Sequence, residues 1–180
     1  PPLLRPGLKI EEGMVITHID GKKLSKKYSP NQALVNKSST EVALKILNPK
    51  SKKTQSINVQ TIASEQSLRY RDWVEANREY VHRKTKNKVG YIHIPDMGPL
   101  GFAEFHRYFL TELDYDGLVI DVRFNGGGHV SPLILSKLAR KRLGYDLTRW
   151  MGESPYPSES VAGPMVALTN EHAGSDGDIF

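Results

Sequence analysis

The 180-residue chain contains no cysteine. Disulfides and thiolate metal sites are therefore excluded, a composition compatible with a reducing compartment. No apolar run approaches the ~20 residues of a membrane span. The histidines, at 18, 82, 93, 106, 129 and 172, fall in no H-E-x-x-H or related spacing, so no metal constellation is legible. The phosphate-loop pattern G-x-x-x-x-G-K-[ST] is missing, and no G-x-G-x-x-G follows a strand. No signal peptide is visible at Pro1, and Pro1-Pro2-Leu3-Leu4-Arg5-Pro6 reads as a cut point inside a longer protein.

What remains is ordinary for a globular protein: 38% hydrophobic and 25% charged residues. The length suits one large or two small domains. A net charge of +5 raises the question of nucleic acid. The basic residues at 22–23, 26–27, 50, 52–53, 83–84, 86 and 88 are scattered among acidic ones and lack interleaved aromatics. They read as solvated loop lysines and arginines, and no nucleic-acid partner is expected.

Residues 1–63 form a first module. Gly13–Gly21 reads as a strand ending in an Asp-Gly turn, and Ser29-Pro30 opens a helix through Val35. Glu41–Leu47 and Ser56–Ile62 alternate apolar and polar around an Asn48-Pro49-Lys50-Ser51 turn. Strand, turn, helix and hairpin in this order resemble an N-terminally incomplete PDZ domain. The resemblance implies either capture of an extended peptide by strand addition or a rigid spacer. Residues 64–88 read as a linking helix, with Leu68, Trp73, Ala76, Tyr80 and Val81 as its apolar stripe.

From residue 89 strand and helix alternate, which argues an α/β domain with a mainly parallel sheet. Val89–Ile94 is a strand, and Gly101–Leu113 is a helix with Phe102, Phe105, Phe109 and Leu113 on one face. Residues 117–123 form a strand buried on both faces. It runs into Phe124-Asn125-Gly126-Gly127-Gly128, and a helix follows over Ser131–Arg142, with Ser131 as its N-cap. Strand, glycine loop and helix suit an anion site, or a tight turn between packed elements.

Pro164–Leu168 is predicted as a buried strand, followed by a turn through Ala173-Gly174-Ser175-Asp176-Gly177. Small neighbours let Ser175 occupy a sharp strand-to-helix elbow. The hydroxyl would then stand clear of the backbone beside a helix N-terminus, as a nucleophilic serine requires. The competing reading is a serine N-cap.

Gly90–Gly98, Val119–Gly128 and Thr169–Phe180 together resemble the tricorn proteases, and more loosely the tail-specific, C-terminal-processing serine proteases. The three blocks occur in the family's order, and the resemblance spans residues 10 to 180. It implies a partial PDZ-like β module at 1–63, a linking helix at 64–88, and an α/β, crotonase/ClpP-like serine protease core at 89–180 that stops short after the nucleophile. It implies Ser175 as nucleophile, with the N–H groups of Gly128 and Asp176 as oxyanion donors. Asp146 matches a position that selects a basic residue before the cleaved bond; a buried carboxylate would suit that task, and a turn aspartate is the plain alternative. The resemblance further implies peptide or unfolded-protein substrates, no cofactor, a cytoplasmic location and a hexameric parent. It gives His172 no catalytic role, and the general base lies in sequence outside these residues. A peptide-binding module on an inactive protease domain is the reading from another class.

Overall fold

Asp20 and Gly21 both take left-handed φ angles, 49° and 77°. They close a two-residue hairpin between β1 (Val15–Ile19) and β2 (Lys22–Lys23), the turn geometry that Asp-Gly pairs favour. In the computed structural model, which describes residues 1–180, this hairpin belongs to a first unit, Pro1–Arg71; a second covers Asp72–Phe180.

The first unit is an antiparallel sheet of order β2-β1-β3-β4, with β3 at Glu41–Leu47 and β4 at Thr54–Gln60. Val42, Leu44 and Ile46 of β3 are buried while Glu41, Ala43 and Lys45 face water, the period of two that the sequence carries. With Ile19, Ala33 and Val59 they form a small core. Helix α1 (Pro30–Ala33) is short, and a capping box holds it: Ser29 accepts the Gln32 N–H, and the Gln32 side chain accepts the Ser29 N–H. The lysines at 22, 23, 26, 27, 50, 52 and 53 are all exposed.

Helix α2 (Gln66–Lys84) crosses the boundary between the units. Its buried stripe differs from the predicted one. Tyr80 is exposed and Ala76 faces water, whereas Val74 is buried. The cause is ionic. Glu112, at the end of α3 (Pro99–Glu112), is buried and accepts from Arg78 Nη1 at 3.1 Å, and its other oxygen lies 2.8 Å from His82 Nε2. These partners turn the Val74–Arg78–His82 face inward in place of the apolar stripe.

The second unit carries a three-stranded parallel sheet of order β5-β6-β9, with β5 at Val89–His93, β6 at Gly117–Asp121 and β9 at Met165–Leu168. Helix α3 follows β5, with Phe105 and Phe109 fully buried and stacked at 4.6 Å. Helix α4 (Ser131–Leu138) follows β6 and is shorter than expected. The chain leaves it so that Lys141 bridges Val161 and the Arg142 guanidinium reaches Asp114 and the Ser160 carbonyl. Its N-cap is Val130, one residue before the predicted Ser131, and Val130 offers no side-chain cap.

Two further expectations fail. Strand β9 is not buried: it is an edge strand with no layer over it, and Val166 is 64% exposed. The turn alternative for Asp146 fails as well: a hairpin, β7 (Gly144–Thr148) with β8 (Gly152–Tyr156), places it on a strand. No helix of the chain is long and apolar enough to cross a membrane.

Candidate active site

All three strands of the parallel sheet run the same way, so the loops leaving β5, β6 and β9 emerge at one carboxyl edge, where ligands of such sheets gather. Asn125, fully buried, ties these loops together. Its Nδ2 donates to the Ile94 carbonyl after β5 at 2.9 Å. Its Oδ1 accepts the Gly127 N–H at 2.8 Å within its own loop. Its main-chain carbonyl accepts the Gly174 N–H at 3.0 Å, from the loop after β9. Asn170 makes a second tie, accepting the N–H groups of Phe124 at 3.0 Å and His172 at 3.2 Å. Sequence reasoning gave neither asparagine a role. The available signal was an amide side chain placed directly before a triple glycine, and another just past a strand end.

Ser175 is exposed and sits at φ 56°, ψ −131°, immediately before helix α5 (Asp176–Ile179). A non-glycine residue there is strained, by about 1–3 kcal/mol. Its side chain makes no cap hydrogen bond to α5. Ser175 thus stands at the N-cap position of α5 without capping it: its backbone is not the extended one of a capping serine, and its hydroxyl bonds no helix N–H.

The glycine loop lies against this elbow. A Cβ on Gly127, whose φ is 88°, would fall 2.6 Å from the Ser175 Cβ and 3.0 Å from its Oγ. A Cβ on Gly128 would strike the Met97 carbonyl oxygen at 1.9 Å. Met97 pairs with the loop on both sides: its N–H donates to the Gly127 carbonyl at 2.8 Å, and its carbonyl accepts the His129 N–H at 2.6 Å. These bonds leave the N–H of Gly128 without a protein acceptor, and the N–H of Asp176, first in its helix, has none either. The structure thus brings Ser175 and the glycine loop together, with free N–H groups in both segments.

The Asp176 carboxylate is turned away to the start of α4, where it accepts the N–H of Ser131 at 3.2 Å and the Ser131 hydroxyl. Asp146 stands on β7 opposite Ser154 and is exposed. It is a strand residue rather than a turn residue, and it is not a buried carboxylate: its neighbour Leu147, on the opposite face of β7, is 82% exposed as well.

No histidine approaches Ser175 by hydrogen bond. His93 is buried, edge-on to Trp73 at 4.8 Å, with Nε2 donating to the Arg123 carbonyl at 3.0 Å. Burial pushes its pKa down, partly opposed by that bond. His129 is exposed, and His172 stacks on Phe124 at 5.4 Å. Behind them Asp121, fully buried, accepts from the Tyr91 hydroxyl and from Arg123 through Nε and Nη2. Burial alone would raise the Asp121 carboxyl, but Arg123 and Tyr91 outweigh it and hold the group below the usual carboxylate range. Burial and this carboxylate push the Tyr91 phenol far up. No group of three or more His, Asp or Glu side chains is placed to hold a metal.

Residues 88–180, just over half of the chain, match the family model described as "Peptidase family S41". The chain belongs to peptidase family S41. Within this family S41 chain, residues 1–64 match a second model, "Tricorn protease PDZ domain". The family S41 chain is 49% identical over 179 residues to the tricorn protease of Thermoplasma volcanium, covering 99% of itself and 17% of that relative. Against the tricorn protease of Thermoplasma acidophilum it is 48% identical over 168 residues, 93% of this chain and 16% of that one. A solved structure described as "Crystal structure of the tricorn protease" superposes with a TM-score of 0.89 at 47% identity, covering 93% of this chain and 16% of that one. The chain thus spans about one sixth of the length of the relatives it matches.

Proposed function

We propose that this chain carries the nucleophile and oxyanion half of a serine peptidase acting on oligopeptides or unfolded proteins. One observation carries the reading: Ser175, exposed in a strained elbow, abuts a glycine loop while the Gly128 and Asp176 N–H groups stay free. Ser175 is the nucleophile. The Gly128 and Asp176 N–H groups receive the charge that develops on the attacked carbonyl oxygen; losing one such donor costs roughly 3 kcal/mol in other serine enzymes. The Asp176 side chain is committed to Ser131 and does not act as base. By resemblance to the tricorn proteases, the base that activates the Ser175 hydroxyl comes from sequence outside this chain. Membership of peptidase family S41 supports the reaction class.

In this reading residues 1–63 recognise or present peptide, 64–88 link, and 89–180 form a crotonase/ClpP-like core; the family-model bounds of 1–64 and 88–180 support the division. Asp146, as an exposed carboxylate, selects a basic residue before the cleaved bond once a partner surface or substrate covers it. The parent works as a cytoplasmic homo-oligomer, a hexaméric ring by resemblance.

The test is hydrolysis of a short peptide library by the full-length protein beside its Ser175→Ala variant. Cleavage lost with Ser175 is expected, with basic residues preferred before the cut. Cleavage that survives Ser175→Ala would overturn the assignment. The isolated 180-residue chain is expected to give no multiple turnover.

A second reading, a peptide-binding module on an inactive protease domain, draws on a cleft of about 680 Å³ in the first unit. Ile16, Leu34, Val42 and Leu44 help line it, beside sheet edges that could accept a strand. It is preferred if neither protein cleaves while the chain still binds free peptide carboxyl termini.

A further inference from the structure

Phe124 is the outlier beside the proposed nucleophile. It takes φ 64°, a conformation that bulky residues rarely adopt, yet the residue is 55% exposed. Burial does not explain the strain. The ring is nevertheless fixed. It stacks on His172 with centroids 5.4 Å apart and planes 15° from parallel, and Trp73 meets it edge-on at 6.1 Å. Asn170 holds the backbone of both stacked residues through one amide oxygen.

Its place in the site is set by short tethers. Phe124 precedes Asn125, whose carbonyl accepts the N–H of Gly174, the residue before Ser175. It also lies three residues from Gly127, which touches Ser175. Three residues of extended chain reach about 10 Å. A peptide attacked at Ser175 has side chains within two residues of the cleaved bond at the same reach.

We infer that Phe124 and His172 form an aromatic platform that binds a large apolar, preferentially aromatic, side chain of the substrate within two residues of the scissile bond. The inference rests on the serine peptidase reading for the word substrate, but the binding itself does not require turnover. Aromatic pairs attract each other beyond what area burial alone provides. Combined with that burial, about a tenfold preference for Phe over Ala at one peptide position is expected.

The experiment is calorimetric titration of the full-length Ser175→Ala protein with blocked hexapeptides in which Phe replaces Ala at one position at a time. One position should tighten binding about tenfold. In the same background Phe124→Gly should erase most of that gain, Phe124→Tyr should keep it, and His172→Ala should reduce it. Glycine accommodates φ 64° better than phenylalanine, so a loss in Phe124→Gly is not a backbone defect. The platform is overturned if no position prefers Phe, or if Phe124→Gly weakens Phe and Ala peptides by the same factor. With Ser175 restored, the kcat/KM ratio of Phe to Ala peptides should fall in parallel. If that protein cleaves nothing, the peptidase reading falls, and the titration still decides the platform.

Discussion

The Asp176 carboxylate caps the start of α4 by accepting both the N–H and the hydroxyl of Ser131, 45 residues earlier in the chain. Helix α4 has no side-chain cap of its own, since its N-cap is Val130. The residue after Ser175 thus fastens the elbow to the helix beyond the glycine loop.

Asp176→Ala should lower stability by about 1–2 kcal/mol, the usual loss for a helix cap, and Asp176→Asn by less. Denaturant melts of the Ser131→Ala, Asp176→Ala and double variants test the link. Strict additivity of the two single losses would refute it.

Gly127→Ala should reduce peptide hydrolysis by the full-length protein by about 10²-fold or more, because a misplaced serine costs on that order. The added methyl would lie 2.6 Å from the Ser175 Cβ, at a φ of 88°. Gly126→Ala, where a Cβ meets nothing within 4 Å, is the comparison, and its activity should stay within severalfold of the original. Equal effects at the two positions would contradict the packing described.

Acid should destabilise the second unit in two stages. His93 has a folded pKa below its ordinary 6.5 because burial disfavours the charged ring. The unfolded chain therefore binds the proton first, and stability falls as pH drops below about 6.5. Asp121, also held low against its own burial, contributes stability above the ordinary value of 3.8 that is lost as pH falls further through the folded pKa. Thermal melts between pH 8 and 3 should show both stages, and His93→Gln should flatten only the first. An unchanged upper stage in that variant would rule out His93 as its source.

Glu112→Ala should cost about 3–5 kcal/mol, the range for breaking a buried pair. The carboxylate serves Arg78, His82 and the Tyr91 N–H at 3.0 Å, and a methyl would leave all three unmatched. Glu112→Gln, which keeps an acceptor, should cost less. Chemical denaturation of the pair of variants gives both numbers, and a loss below 1 kcal/mol for alanine would show the network to be dispensable.

Much of the architecture was legible because local rules agreed with it. Glu41–Leu47 alternates and is the strand β3; Asp20-Gly21 turns; Phe105, Phe109 and Leu113 face the core. The close approach of the candidate site's two loops was legible through their small residues, since Gly127 and Ser175 leave room for each other. The failures share a cause. The inward face of α2 is set by Glu112, some thirty residues away, so its apolar spacing misled. The exposure of β9 depends on what packs over a sheet edge, which its four apolar residues cannot encode. The ties made by Asn125 and Asn170 join loops from different strands, and side-chain amides carry no periodic signal.

With Ser175 as the proposed nucleophile, its φ of 56° sets heat resistance against chemistry at a single position. Glycine would relieve the strain, and Ser175→Gly should melt above the original chain by several degrees if about 1 kcal/mol is recovered. Laboratory evolution for thermal tolerance alone would thus tend to erase the serine, and only a screen that also rewards cleaved product would keep it.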